Sequence, residues 1–350
     1  MKFMIGGLIV KAKEIAKKLG LSPASISLVM NNKPGVSKET RAKVLQAMKD
    51  YSLDSAMEKR QQYEKTLLFL VHRRNGIDEK KLPYFSQVFE NVIAGIENQS
   101  KQLRCKLRIQ YVDDQSVETF VNSQLQDSVD GIVLLGTEMT KNCMQRIIQC
   151  NIPIVLVDNY FQDIPIDSVV MNNEQGVYLA VSHLIEEGHH SIGYFHVKEN
   201  ANNFQERYYG FMRSMDDFQR LVDKVAIIEV RGNRKEELHE QIKEQLSSLK
   251  TMPSAFFADN DIVAIEAYKA LSQLGYKIPD DISLIGFDNI SYGQIMNPPL
   301  TTIYASQYAM GKSAVNLLMG NIEKPIEGIQ KIEIMTSLVQ RQSVKCMNEK

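Results

Sequence analysis

Residues 14–48 read EIAKKLGLSPASISLVMNNKPGVSKETRAKVLQAM, and their spacing sets the fold of the amino-terminal end. Ile15, Ala16 and Leu19 fall on one helical face, and Gly20 stops that helix as a left-handed residue would. Ser22 reads as an N-cap with Pro23 at the first helical position. The second helix is expected over about 23–31, with Ile26 and Val29 facing inward. Asn31 to Gly35 form a turn. Ser37 then caps a third helix to about Tyr51, with Val44, Leu45 and Met48 as its apolar face. Ala16 is small enough to let two helices cross, Gly20 sits in the tight turn, and Ile26 and Val29 lie where the second helix packs on the first. This is the helix-turn-helix pattern, whose second helix enters the major groove of DNA. A plain three-helix bundle is the alternative.

Charge distribution favours the nucleic-acid reading. The 350 residues carry 41 Lys+Arg against 42 Asp+Glu. Residues 1–65 hold 13 basic and 6 acidic side chains, so a basic head precedes a mildly acidic body of 28 against 36. Such a head suits a polyanionic partner, although a solvated helical head would show the same surplus. The 44% hydrophobic and 24% charged residues describe a globular chain, and its length predicts two or three domains. No apolar run reaches the ~18–20 residues that span a bilayer. Cys105, Cys143, Cys150 and Cys346 show no paired spacing, which excludes a disulfide scaffold and favours a reducing compartment. Met1–Val10 (MKFMIGGLIV) has too short an apolar stretch for a signal peptide. It reads as a short arm, of the kind a start codon set too far upstream would add, and the protein as cytoplasmic.

From Thr66 onward strands alternate with helices. Strands are expected at Leu67–Val71, Leu107–Tyr111, Gly131–Leu135, Ile154–Asp158, Ser168–Met171, Ile192–Phe195, Ala226–Val230, Ala255–Ala258 and Ser283–Phe287. Most are unbroken apolar runs, as in parallel strands covered on both faces. Helices are expected at Phe85–Gln102, Glu174–Glu187, Arg234–Leu249 and Ile262–Leu274. Repeated βα units make an α/β protein with doubly wound parallel sheets. About 280 residues exceed one such sheet, so two lobes follow.

Ligands of open α/β sheets sit beyond the carboxyl ends of strands. Those ends carry Leu82-Pro83-Tyr84-Phe85, Asp158-Asn159-Tyr160-Phe161, Asn202-Asn203-Phe204-Gln205 running to Arg207, Asp259-Asn260-Asp261, and Asp288-Asn289. Aromatic faces with carboxylates, amides and an arginine suit a small polyhydroxylated ligand.

The 14–48 segment resembles the DNA-binding headpiece of the LacI/GalR family of bacterial repressors, above all in LSPASIS, NNKPGVS and the following Thr-Arg. The resemblance continues along nearly the whole chain, through LPYF (82–85), LIEEGHHSIGYF (184–195), ERYYGF (206–211), FFADND (256–261), DDISLIGFDN (280–289), PPLTTI (298–303) and LVQRQS (338–343). It implies a helix-turn-helix domain followed by a two-lobed, periplasmic-binding-protein-like core with crossed-over connections. The implied division is 1–60 headpiece with a degenerate hinge and 61–66 linker. It continues with 67–172 plus 304–335 as the N-terminal lobe, and 173–303 plus 336–346 as the C-terminal lobe. Double-stranded operator DNA, a small effector that is most simply a sugar, and a homodimer are the implied partners. No further heptad segment is visible, which favours the dimer over a tetramer.

Carried over residue by residue, the DNA-contacting set is Ser22, Ala24, Ser25, Ser27, Leu28, Asn31 and Lys33. The effector set is Phe85, Tyr160, Arg207, Asn260 and Asp288. Structural alternatives stand beside these: Asp288 as a cap, the aromatics as core or lid, Arg207 as an ion pair, and Asp261, next to Asn260, as a helix N-cap. Three departures stand out. Pro23, Ala24 and Leu28 replace residues that often read bases, so bidentate base readout is not evident. Asn172 replaces a usual aspartate. The family's hinge helix resembles PNALARSL and wedges a leucine into the minor groove, whereas residues 54–61 here read DSAMEKRQ. The hinge candidates are Ala56, Met57, Arg60 and Gln61, with Gln61 at the leucine position.

No enzyme motif is present. The six histidines form no HExxH or other ligand spacing, and the His189-His190 pair reads as a surface turn. P-loop, GxSxG and GxGxxG fingerprints are missing. The expectation is a non-enzymatic regulator without metal or cofactor. Its alternatives are a purine- or phosphoprotein-dependent regulator of the same family, or a solute-binding protein.

Overall fold

The computed structural model describes the chain except residues 1, 6–7, 12–15, 18, 31–34, 48–64, 74–81, 125–128, 200, 232–234, 325–326 and 348–350. Two compact units emerge, residues 1–64 and 65–350.

The first unit opens with strands β1 (Lys2–Ile5) and β2 (Leu8–Lys11), paired antiparallel with Ile5 opposite Leu8. The segment read as a bare arm is thus a hairpin. The β-branched residues Ile5, Ile9 and Val10 suit strands. Helix α1 follows at Pro23–Met30, and residues 38–47 form another helix. Ala16, Ile26, Val29 and Val44 are buried together, with Leu19, Leu21, Val36 and Ala47 packed against them. Gly20 takes φ +64° and nothing lies within 4 Å of where its Cβ would be, so the left-handed turn and not crowding selects glycine. The Leu21 amide bonds the Ala16 carbonyl at 3.0 Å, closing the helix end. Ser22 Oγ accepts from the Ser25 amide and Ser37 Oγ from the Thr40 amide, each at 3.1 Å. Leu45, expected on the apolar face, is 52% exposed. The face of this helix that packs is the one bearing Val44 and Ala47.

The second unit contains two six-stranded sheets. The first consists of β3 (Lys65–His72), β4 (Cys105–Val112), β5 (Gly131–Leu135), β6 (Ile154–Val157), β7 (Asp167–Met171) and β13 (Lys331–Ile334). Its order is β13-β7-β6-β5-β3-β4, and every pairing is parallel. The second consists of β8 (Ser191–Val197), β9 (Lys224–Val230), β10 (Ala255–Ala258), β11 (Ser283–Phe287), β12 (Thr301–Ala305) and β14 (Thr336–Val339). Its order is β14-β12-β11-β10-β8-β9, parallel except for β14 against β12. The chain passes between the sheets three times: after β7, after β12, and between β13 and β14.

Period-2 alternation explains why these strands read as continuous apolar runs. Leu67, Phe69 and Val71 of β3 join one core, while Leu68 and Leu70 join the core on the opposite face. In the second sheet Ala255 and Phe257 face one core, and Phe256 and Ala258 the other. Covering helices are α2 (Leu82–Gln102), α3 (Val117–Gln124), α4 (Lys141–Ile147), α5 (Asn173–Glu186), α6 (Asn202–Asp217), α7 (Lys235–Ser248), α8 (Asp261–Gln273), the short α9 (Ser291–Gln294) and α10 (Gln307–Glu323). Helices α2 and α10 cross at two glycines. A Cβ on Gly95 would meet the Tyr308 carbonyl oxygen at 2.1 Å, and one on Gly311 the Val92 carbonyl oxygen at 2.3 Å.

His189 corrects the surface expectation for its pair. It is 1% exposed, with Nδ1 2.9 Å from Ser254 Oγ and Nε2 3.1 Å from the Lys345 carbonyl, whereas His190 lies outside. The carboxyl-terminal segment covers this turn, a contact that local sequence does not encode.

Candidate functional site

Two places carry the candidate residues. The first is the outer face of α1. With Ile26 and Val29 buried, Ala24 is exposed on the other side, and Ser25, Ser27 and Leu28 are half-buried. The exposed Ser22 and its neighbour Ser25 bond one another through their hydroxyls at 2.9 Å, so both serve the cap. Among the described residues of this helix face, the groups offered are short hydroxyls and apolar surface. Such a face can contact thymine methyls and phosphates. Asn31, Lys33 and the hinge candidates Ala56, Met57, Arg60 and Gln61 lie outside the described residues.

The second place is the seam where the carboxyl ends of the two sheets meet. Asp158 follows β6 and Asp288 follows β11, with φ of +66° and +98°. Non-glycine residues rarely hold such values, and each costs of order 1–3 kcal/mol. Here the backbone turns sharply and aims both carboxylates into the seam. Asp158 accepts from Thr137 Oγ1 at 2.6 Å and from Asn203 Nδ2 at 3.0 Å. Asn202 Nδ2 donates to Asn159 Oδ1 at 2.7 Å and to the Tyr160 carbonyl at 2.6 Å. The amino end of α6, on the second sheet, is therefore latched to the loop after β6 of the first.

Arg207 lies one turn further along α6 and is 2% exposed. Its Nε donates to Asn173 Oδ1 at 2.9 Å, Nη1 to the Asp259 carbonyl, and Nη2 to Asp288 Oδ1 at 3.2 Å. The guanidinium carbon lies 3.8 Å from the Phe287 ring centroid, within cation–π range. Behind it, Asp259 accepts from Tyr194 Oη, from His196 Nδ1 at 2.9 Å and from the Val197 amide at 2.5 Å.

Burial governs the titration of these carboxyls. It pushes Asp158 up to about 6 against the opposing hydrogen bonds from Thr137 and Asn203. It also raises Asp288, which the Arg207 charge pulls back down. Asp261 is pushed up to about 8 by the same desolvation. Its carboxyl meets Thr302 Oγ1 at 2.5 Å and the Ile290 amide at 2.8 Å.

The structure thus brings Tyr160, Arg207 and Asp288 together with Asp158, Asn202 and Asn203. Phe85 lies in α2, within the stretch 82–88 where the backbone alone is described. Asn260 is the N-cap of α8, its Oδ1 accepting from the Val263 amide at 2.9 Å. The cap assigned to Asp261 belongs to Asn260 instead, since the residue before the first helical turn is the one whose side chain reaches that amide. Three rim residues went unread. Lys331 Nζ stands 3.7 Å from the Tyr160 ring centroid and 3.6 Å from Glu206, with Glu333 3.1 Å away. Glu206 immediately precedes Arg207, and Lys331 and Glu333 alternate on an edge strand; those were the available signals.

Comparison with known proteins bears on the family and the fold. Residues 11–52 match the family described as bacterial regulatory proteins, lacI family, and residues 181–344 match the periplasmic binding protein-like domain. The first match covers the stretch that carried the resemblance. An HTH-type transcriptional repressor PurR of Haemophilus influenzae is 29% identical over 339 residues, 95% of this chain and 98% of that protein. A LacI family transcriptional regulator from Enterococcus faecalis with bound ribose superposes with TM-score 0.65 at 25% identity, over 81% of this chain and all of the other. The lac repressor dimer bound to operator and the anti-inducer ONPF gives TM-score 0.66 at 22% identity, over 96% and 99%.

Proposed function

The chain belongs to the LacI family of bacterial regulatory proteins, and on that premise we propose that it represses carbohydrate-metabolism genes under control of a small sugar bound between the two lobes. The observation that carries the effector reading is the seam itself. Tyr160, two carboxylates, the amides of Asn159, Asn202 and Asn203, and the Arg207 guanidinium converge where the two sheets meet. Paired donors and acceptors beside an aromatic face suit the hydroxyls and C–H face of a sugar. Because the seam bonds already join the lobes, a ligand inserted among them changes the energy of one lobe arrangement relative to another. That differential affinity is what a ligand needs in order to act.

DNA recognition follows the family's plan in this reading. Helix α1 enters the major groove, and a homodimer places two copies at half-sites whose spacing the lobes control. The protein works in the cytoplasm. No described helix is long and apolar enough to cross a membrane. A second reading, a purine effector, draws on the relatives named PurR. Titration calorimetry of the full chain against mono- and disaccharides and purine bases separates the two. One sugar binding with one site per chain supports the proposal, and a purine alone binding establishes the second reading. No heat from either class, with Arg207 intact, refutes the cleft assignment.

A further inference from the structure

Away from the seam bonds, at the same carboxyl edge of the first sheet, three chemically different ligating groups converge from three elements. His72 is the last residue of β3, Asp114 lies in the turn after β4, and Cys143 is in the first turn of α4. Strands β4, β3 and β5 are neighbours, so the segments leaving their ends emerge side by side. His72 Nε2 stands 2.8 Å from Asp114 Oδ1, and Cys143 Sγ donates to the same oxygen at 2.9 Å. All three ligand atoms lie within 4.8 Å of one another. Sequence spacing could not reveal the group, because its members are 42 and 29 residues apart.

We propose that His72, Asp114 and Cys143 form a site for a borderline divalent transition metal of the zinc type. The donor set is the first reason. One imidazole, one thiolate and one carboxylate are the ligands such ions prefer, and three protein ligands leave a fourth position for water. Commitment is the second. The His72 side chain is fully buried, yet its ring makes its one hydrogen bond among the described residues to Asp114. The Cys143 thiol spends its bond on the same atom. Two protons thus hold together a cluster that one cation can hold instead.

Adjustability is the third reason. Metal–ligand bonds of about 2.0–2.3 Å at tetrahedral angles require ligand atoms roughly 3.3–3.6 Å apart. Asp114 must therefore retreat by about half an ångström, while His72 Nε2 and Cys143 Sγ, which lie within 4.8 Å, settle to that same spacing. Its side chain is 39% exposed and sits on a turn, so it can move. Asp113 anchors that turn by accepting from the Ser116 amide at 2.7 Å and the Gln115 amide at 3.1 Å. Loading releases the thiol proton to solvent and leaves the imidazole neutral with its proton on Nδ1. Two plus charges then face one thiolate and one carboxylate, so the loaded cluster is neutral. The site does not depend on the effector reading. It adjoins the cleft, since the loop between β5 and α4 also carries Gly136 and Thr137, which bond Asn159 and Asp158.

Cobalt(II) titration of the full-length reduced chain tests this, because a thiolate ligand gives cobalt a near-ultraviolet charge-transfer band. The expected result is one equivalent of cobalt with that band, displaced by zinc. Cys143→Ser should abolish the band, while Cys346→Ser should leave it. Asp114→Asn preserves shape at a half-exposed position and guards against a misfolded Cys143 variant. It should weaken zinc binding at least 100-fold, beyond the 10–100-fold typical of a supporting contact, with the metal-free melting temperature unchanged. No thiolate band in the wild type, a band that survives Cys143→Ser, or equal zinc affinity in Asp114→Asn would each overturn the proposal.

Discussion

Replacing Arg207 with alanine removes the hub of the seam. The guanidinium is buried against Asp288, the Asp259 carbonyl, Asn173 Oδ1 and the Phe287 ring. Losing one partner of a buried pair costs about 3–5 kcal/mol, because the other charge remains buried and unpaired. With a urea slope of about 3 kcal/mol/M, the unfolding midpoint of the core should fall by roughly 1–1.7 M. The sign with pH follows from Asp288. Burial already raises its pKa, and Arg207 opposes that rise. Without Arg207 the folded-state value climbs further above the unfolded carboxylate value. The folded variant then holds a proton that its unfolded chain has lost, so its stability falls relative to wild type as pH rises from about 4. Urea unfolding by circular dichroism at pH 4, 6 and 8 measures this. A second replacement, Asp288→Asn, should recover part of the loss. The exposed pair Lys198–Glu229, at 2.6 Å, supplies the contrast, since Lys198→Ala should cost at most about 1 kcal/mol. If Arg207→Ala costs no more than that and shows no pH dependence, the buried hub is wrongly described.

Three further outcomes follow. Gly311→Ala should destabilise the core by about 1–3 kcal/mol as the α2–α10 crossing is forced apart, measured as a drop in urea midpoint. Asp261 holds its proton up to about pH 8, so core stability should decline between roughly pH 4 and 8 as the unfolded chain loses its own proton; Asp261→Asn should flatten that decline. Gln61→Leu restores the leucine of the resembled hinge. Burying a leucine is worth about 1.5–3 kcal/mol, so operator affinity should rise tenfold or more in an anisotropy titration, and an unchanged affinity would mean that residue 61 does not enter the minor groove.

Legibility in the sequence varied for physical reasons. Ala16, Gly20, Ile26 and Val29 were readable because helix crossing and a left-handed turn restrict residue choice locally. Strands β3, β5, β10 and β11 were readable because both faces are covered, which leaves unbroken apolar runs. Strands β13 and β14 were not. Lys331 and Glu333 face outward from β13, and both strands pair with segments far away in sequence. Helix α6 was read only as the loop leading to Arg207, since its sequence, NNFQERYYGFMRSMDD, is mostly polar. Rules about strand ends located Asp158, Asn202, Asn203 and Asp288. They could not show that the Oδ1 of Asn260 also caps a helix. The His72, Asp114 and Cys143 cluster exists only through sheet order.

Sequence-specific duplex recognition is the claim on which the rest depends. Selection by the full chain from a random duplex pool, at a salt concentration that suppresses non-specific phosphate binding, tests it most directly. The account predicts enrichment of a sequence with two related half-sites in two-fold symmetry, as a homodimer presenting two copies of α1 requires. A pool that emerges without any enriched sequence would contradict it.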